Sequence, residues 1–135
     1  MKAKIIPEPK RALLWNCPAG SDDYHKAEAL CARYGLEVLA LSGADVGKTV
    51  GFLCGFRGAN QAATLEYLED SAYPPAILLC GLERGQVSGF VDQLNAAGAN
   101  FPLKALVTIH NREWRLSQLL EELARERKEW EGKEV

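Results

Sequence analysis

The chain has 135 residues, with 16 basic against 18 acidic side chains and a formal net charge of −2. Hydrophobic residues make up 47% and charged residues 25%, a globular balance that excludes gross disorder, a collagen-like repeat and a dedicated basic nucleic-acid binder. The length predicts one domain with a self-sufficient core.

In chain order, residues 1–10 read as a flexible leader closed by Pro7-Glu-Pro9. Ala12-Leu-Leu-Trp-Asn16 is a short apolar run and a buried strand candidate. Pro18-Ala-Gly-Ser-Asp-Asp23 supplies turn and N-cap chemistry, and Tyr24, Ala27, Leu30, Cys31 and Tyr34 then fall on one helical face that Gly35 stops. Leu36–Leu41 is a second strand. Ser42-Gly-Ala-Asp45 opens a short helix running through Val50 to Cys54. Residues 55–75 read as a loop with one helical turn around Thr64–Leu68. Ala76–Cys80 is a third strand, and Val87, Phe90, Val91 and Leu94 repeat at helical spacing behind it. Leu103–Ile109 is a fourth strand. Leu116, Leu119, Leu120 and Leu123 mark the last helix, whose end and tail occupy 127–135. Residues 11–126 are thus expected to form a single α/β domain.

Strands without polar alternation, separated by helices, predict a mostly parallel four-stranded sheet in the order 2-1-3-4, with helices on both faces in a Rossmann- or flavodoxin-like arrangement. No internal repeat is evident in the sequence.

Two motifs read as decoys. Gly43-Ala-Asp-Val-Gly47-Lys48-Thr49 has one residue too few between its glycines for a phosphate-binding P-loop, and no other strand ends in a magnesium-holding aspartate. Gly81, Gly85 and Gly89 recur every four residues, which predicts close packing at a strand-to-helix turn. Cys17, Cys31, Cys54 and Cys80 form no Cys-x-x-Cys pair, and only two histidines accompany them. No metal site and no cofactor are therefore expected. The thiols lie in apolar segments, as buried reduced cysteines do, and no signal peptide, membrane span or glycosylation acceptor is read. A reducing cytoplasm is the expected setting.

In a parallel sheet of this order the strand carboxyl ends share one edge, where ligands bind. That edge would gather Asn16, Ser42 and Asn111, bring Cys17 near Cys80, and set His110 one strand further. A Cys–His nucleophile pair is the sharper reading there, and packing cysteines are the expected one. Trp114 is expected to seal the sheet beneath the final helix, with Asn111 capping the turn before it. Trp130, on the charged tail helix, is expected to mark a partner contact. Acidic and basic residues interleave along that helix, as on a solvated face rather than a nucleic-acid patch.

The stretch Leu103-Lys-Ala-Leu-Val-Thr-Ile-His-Asn-Arg-Glu-Trp114, with Leu119-Leu-Glu-Glu-Leu123 and Glu126, resembles the bacterial family called domain of unknown function 3783. Thr49-Val-Gly-Phe-Leu-Cys-Gly55, Cys80-Gly-Leu82 and Leu13-Leu-Trp-Asn16 resemble earlier parts of that family. The chain departs from it at His110, at Arg115 and at Lys48. The resemblance implies an α/β domain without an assigned activity, and it points to Lys104, Asn111 and Trp114 as positions to test.

The expected function is a regulatory or binding module rather than an enzyme, with an unknown protein or small-molecule partner. The alternative is a small-molecule or anion-binding protein or enzyme with Asn16, Ser42, Lys104, Asn111 and Trp114 near its site. Neither a nucleic-acid nor a membrane partner is expected. Self-association through the Leu116–Trp130 helix is the third possibility.

Overall fold

The structure is a computed structural model, and it describes residues 8–61 and 64–133, with side chains described through Lys128. The expected leader lies mostly outside the described residues, as does the Trp130 side chain. Four strands form one sheet: β1 (Arg11–Trp15), β2 (Glu37–Ala40), β3 (Ala76–Cys80) and β4 (Leu103–Leu106). Four helices accompany them: α1 (Asp22–Arg33), α2 (Val50–Cys54), α3 (Arg84–Ala96) and α4 (Leu116–Lys133).

The sheet order is β2-β1-β3-β4, as expected. Its directions are not. β1–β2 and β3–β4 are parallel pairs, but β1 and β3 are antiparallel, with Leu13 opposite Leu78. The sheet is therefore mixed rather than mostly parallel. The cause is the path of residues 55–75. The end of α2 lies at the edge where β1 begins, because the Arg11 guanidinium donates to Leu53 O at 2.9 Å. The chain then runs back along the same face to the edge where β1 ends, and Asn16 Nδ2 donates there to Tyr73 O at 3.1 Å. This return cancels the crossover, so β3 starts beside the end of β1.

The layers are as expected. Ala27, Leu30 and Cys31 of α1 and Phe90 and Leu94 of α3 cover one face, against Ala12, Leu14, Ile77 and Leu79. Val50, Leu53 and Cys54 of α2 and Leu116, Leu119 and Leu120 of α4 cover the other, against Leu13, Trp15, Leu78 and Cys80. Alternate residues of β1 and β3 thus feed two cores, which is why neither strand alternates with polar residues.

The two halves repeat one another. Each runs strand, helix, strand, 3-10 turn, helix. Residue 11 corresponds to 76, 37 to 103 and 50 to 116, shifts of 65, 66 and 66 positions, whereas the crossover helices α1 and α3 start 62 positions apart. Matching boxes follow β2 and β4, one spanning the 43–45 turn and the other leading into the 111–113 turn. Ser42 N donates to Asp45 Oδ2 at 2.8 Å, and Thr108 N donates to Asn111 Oδ1 at 2.8 Å. A pseudo-two-fold axis passes between Leu13 and Leu78. On the α2/α4 face it passes between Thr49 and Arg115, where Val50 N donates to Trp114 O and Leu116 N to Lys48 O, both at 2.9 Å. The internal repeat absent from the sequence pattern is thus present in the structure.

Candidate functional site

The antiparallel β1–β3 pair splits the expected carboxyl edge in two. Asn16 and Ser42 follow β1 and β2 at one edge; Cys80 ends β3 and Asn111 follows β4 at the other. A five-residue strand spans about 15 Å, so Cys17 and Cys80 are held apart and the Cys–His arrangement has no geometry. Nor are its thiols those of a nucleophile. Burial pushes the Cys17 thiol up and the Cys31 thiol up to about 12. The Cys54 thiol donates to Cys80, which raises Cys54 and lowers Cys80, but both side chains are buried.

Each of the other expected residues has a local task. Asn16 holds a left-handed backbone (φ 53°), which asparagine tolerates, and its amide ties down Tyr73. Ser42 caps the 43–45 turn. Lys104 Nζ donates to Phe101 O at 2.8 Å, and desolvation, with Arg127 nearby, lowers its pKa. Asn111 closes its box with Thr108 and donates through Nδ2 to Leu106 O at 2.9 Å. Trp114 does not seal the sheet: it is 37% exposed, beside Gln118 and Glu121, and the large buried ring of the α2/α4 face is Trp15. These five residues do not form one cluster.

The residue 43–49 motif is explained by the chain itself. Lys48 Nζ is engaged by Asp45 Oδ1 at 2.8 Å. A Cβ at Gly43 would collide with Leu68 O, and one at Gly47 with Thr64 O. The glycines therefore admit a strap, not a phosphate. Residues 64–68 are extended rather than helical. They lie antiparallel to 43–47, with Thr64 N donating to Gly47 O and Leu68 N to Gly43 O, both at 3.2 Å. Glu66 points inward and Leu65 and Tyr67 outward, at 100% and 67% exposure. Glu66 Oε1 accepts from Thr64 Oγ1 at 2.5 Å and from Arg115 Nη1 at 2.9 Å. Thr64, then Ser117 and Arg115, lower the Glu66 pKa.

Across the pseudo-two-fold axis lies an open concavity of about 560 Å³. Thr49, Gly51, Phe56, Arg57, Asn60 and Arg112 line it, together with Glu113. Thr49 caps α2, accepting from Phe52 N at 3.2 Å, and donates to Asn60 O at 2.7 Å, which holds the 56–60 segment as the outer wall. Gly51 lets the 111–113 turn close in, since a Cβ there would stand 2.9 Å from Arg112 O. Arg112 stacks on Phe56, with its guanidinium carbon 4.8 Å from the ring centroid. Stacking uses the face of a guanidinium and leaves its in-plane N–H donors available. Among the described residues neither Arg57 nor Arg112 makes a side-chain hydrogen bond or ion pair. The lining thus carries two cations against the single carboxylate of Glu113.

In the sequence Arg57 falls in the 55–75 loop and Arg112 lies just before the last helix, with nothing local to connect them. The signal that links them is the 66-residue shift between Ser42-x-x-Asp45 and Thr108-x-x-Asn111. It sets Glu113 in register with Gly47 and Thr49 with Arg115. Among the described residues there is no cluster of three or more metal-ligating side chains. No helix among them is long and apolar enough to cross a membrane.

Residues 75–129 match the model of the family described as Domain of unknown function (DUF3783). The matched stretch runs from β3 into α4 and thus coincides with the second of the two structural units. No curated protein and no solved structure gives a match.

Proposed function

We propose that the chain is a binding module rather than an enzyme, and that its ligand is an anion held in the concavity between the start of α2 and the 111–113 turn. The observation that carries this reading is the pair of guanidinium groups, Arg57 and Arg112, lining one concavity without hydrogen-bonded acceptors among the described residues. An arginine donates through a planar fork that matches carboxylate and phosphate oxygens. A volume of about 560 Å³ lies in the range of small-molecule sites. The non-catalytic part of the reading rests on what surrounds the arginines. The lining offers Thr49 as its hydroxyl, and that hydroxyl already caps α2 and donates to Asn60 O.

The test is a titration with citrate and, separately, inorganic phosphate, followed by amide chemical shifts. Shifts are expected at Gly51, Gly58 and Arg112, weakening as salt rises. Binding should be lost in Arg112→Gln and reduced in Arg57→Ala. Shifts that persist unchanged in both variants, or no shifts at millimolar anion, would remove the proposal.

A further inference from the structure

The pseudo-two-fold axis relates the open concavity to a groove that the chain already fills. In the filled groove Gly47 meets Thr64, and Arg115 and Ser117 meet Glu66. The 66-residue shift carries these three positions onto Glu113, Thr49 and Gly51, all of which line the open concavity. The fold thus displays, on one side of its axis, the kind of occupant such a groove takes: an extended segment whose backbone hydrogen-bonds to the 3-10 turn and whose inward glutamate meets an arginine. On the other side the arginine position is held by Thr49, and the cations come instead from Arg112 and Arg57.

Building on the anion-site reading above, we infer that the open groove takes an extended acidic peptide segment of a protein partner, with a glutamate carboxylate held by Arg112 and Arg57 as Arg115 holds Glu66. Three features support a peptide over a free anion. The groove lies beside the 111–113 turn, as the filled one lies beside the 43–45 turn. Gly58 borders it with nothing within 4 Å of where its Cβ would stand, so the wall leaves room for backbone. The filled groove binds its segment through both main chain and carboxylate, with Thr64 N and Leu68 N as well as Glu66 engaged.

The probe is a fluorescein-labelled peptide reproducing residues 64–70 of this chain, Thr-Leu-Glu-Tyr-Leu-Glu-Asp, read by anisotropy against the full-length protein. Binding is expected. It should weaken by about tenfold or more in Arg112→Gln, the loss typical of a charged hydrogen bond, and should weaken likewise when the first glutamate of the peptide is replaced by glutamine. Arg57 is exposed and has no side-chain hydrogen bond or ion pair among the described residues, so Arg57→Glu is expected to keep the fold and supplies an independent loss of binding. Arg115→Ala should leave affinity within about twofold. Binding lost only in Arg115→Ala would mean that the peptide exchanges with the strap in the filled groove, and would overturn the inference. Binding indifferent to both arginines of the open groove would overturn it too. No peptide binding alongside Arg112-dependent citrate binding would end the peptide inference and leave the anion site standing. Neither peptide nor citrate binding would end both.

Discussion

Asparagine serves twice in this chain where its side chain is short enough to bond its own backbone surroundings. Asn16 accepts a left-handed backbone that costs most residues about 1–2 kcal/mol, and its amide anchors the chain just before β3 through Tyr73 O. Asn16→Ala is expected to cost about 2 kcal/mol, the sum of strain and a lost hydrogen bond. Asn16→Gly should lose about half of that, because glycine keeps the backbone geometry at no steric cost. Urea midpoints of the two variants measure the difference, and equal losses would assign the whole effect to the Tyr73 bond. Asn111 was legible as a cap because a short amide side chain between a strand and a helix readily bonds the nearby backbone. Its three hydrogen bonds to Thr108 and Leu106 show the same chemistry. Trp114 was misread because a ring placed before an apolar helix satisfies the rule for a staple. The space beneath α4 is instead filled by Trp15 from β1, a tertiary fact that no local window contains.

Among the elements, the strap at 64–68 has the clearest physical logic. It has few backbone bonds, exposed Leu65 and Tyr67, and one charged anchor, Glu66 on Arg115. It stays on the surface only because Gly43 and Gly47 let it approach. Gly47→Ala should therefore release it without unfolding the domain, and the readout is limited proteolysis. Chymotrypsin cleavage after Tyr67 is expected to accelerate about tenfold or more in the variant, with little change in the thermal midpoint; an unchanged cleavage rate would show that the strap does not depend on the glycine. Acid should act on the same element. The folded Glu66 pKa is below its ordinary value. Its contribution is therefore present above the unfolded-state pKa, about 4.3, and is lost as pH falls through the lower folded value. Amide protection at Thr64 and Leu68 should fall on acidification below about pH 4 in the wild type, whereas Glu66→Gln should show lower protection with no such acid transition. The sequence could not disclose this strap, because Thr64–Leu68 has no partner within its own window. Its register is set by 43–47, some twenty positions upstream, and helical propensity is the only signal left locally.

At the scale of the whole molecule, the apolar runs and the strand order 2-1-3-4 were readable, because buried central strands need continuous hydrophobic residues and sequential strands tend to be neighbours. Strand direction was not readable. Ala-Ile-Leu-Leu-Cys is equally apolar in either direction, and the choice was made by the return of the chain, between α2 and β3, to the edge where β1 ends. The arginine-lined groove was hidden for the same reason, since Arg57 and Arg112 line one concavity only after both units pack about their axis. That axis leads to a test of the architecture. All five residues of β3 are buried, and β1 covers one of its edges. A fragment of residues 74–135 keeps β4, α3 and α4 but exposes that edge, with Ile77, Leu78 and Leu79 along it. An uncovered apolar edge pairs with whatever strand is available. In the intact chain Leu13 faces Leu78 across the axis, so a second β3 can take the place of β1 with Leu78 facing Leu78. The fragment is therefore expected to form a symmetric dimer at micromolar concentration, with mass from light scattering near twice that of the single fragment and one set of amide resonances. Leu78→Lys at the axis would place like charges opposite one another and should abolish the dimer. A well-dispersed monomeric spectrum from the unsubstituted fragment would show that the second unit folds alone, and that the repeat reflects shared geometry without a shared requirement for pairing.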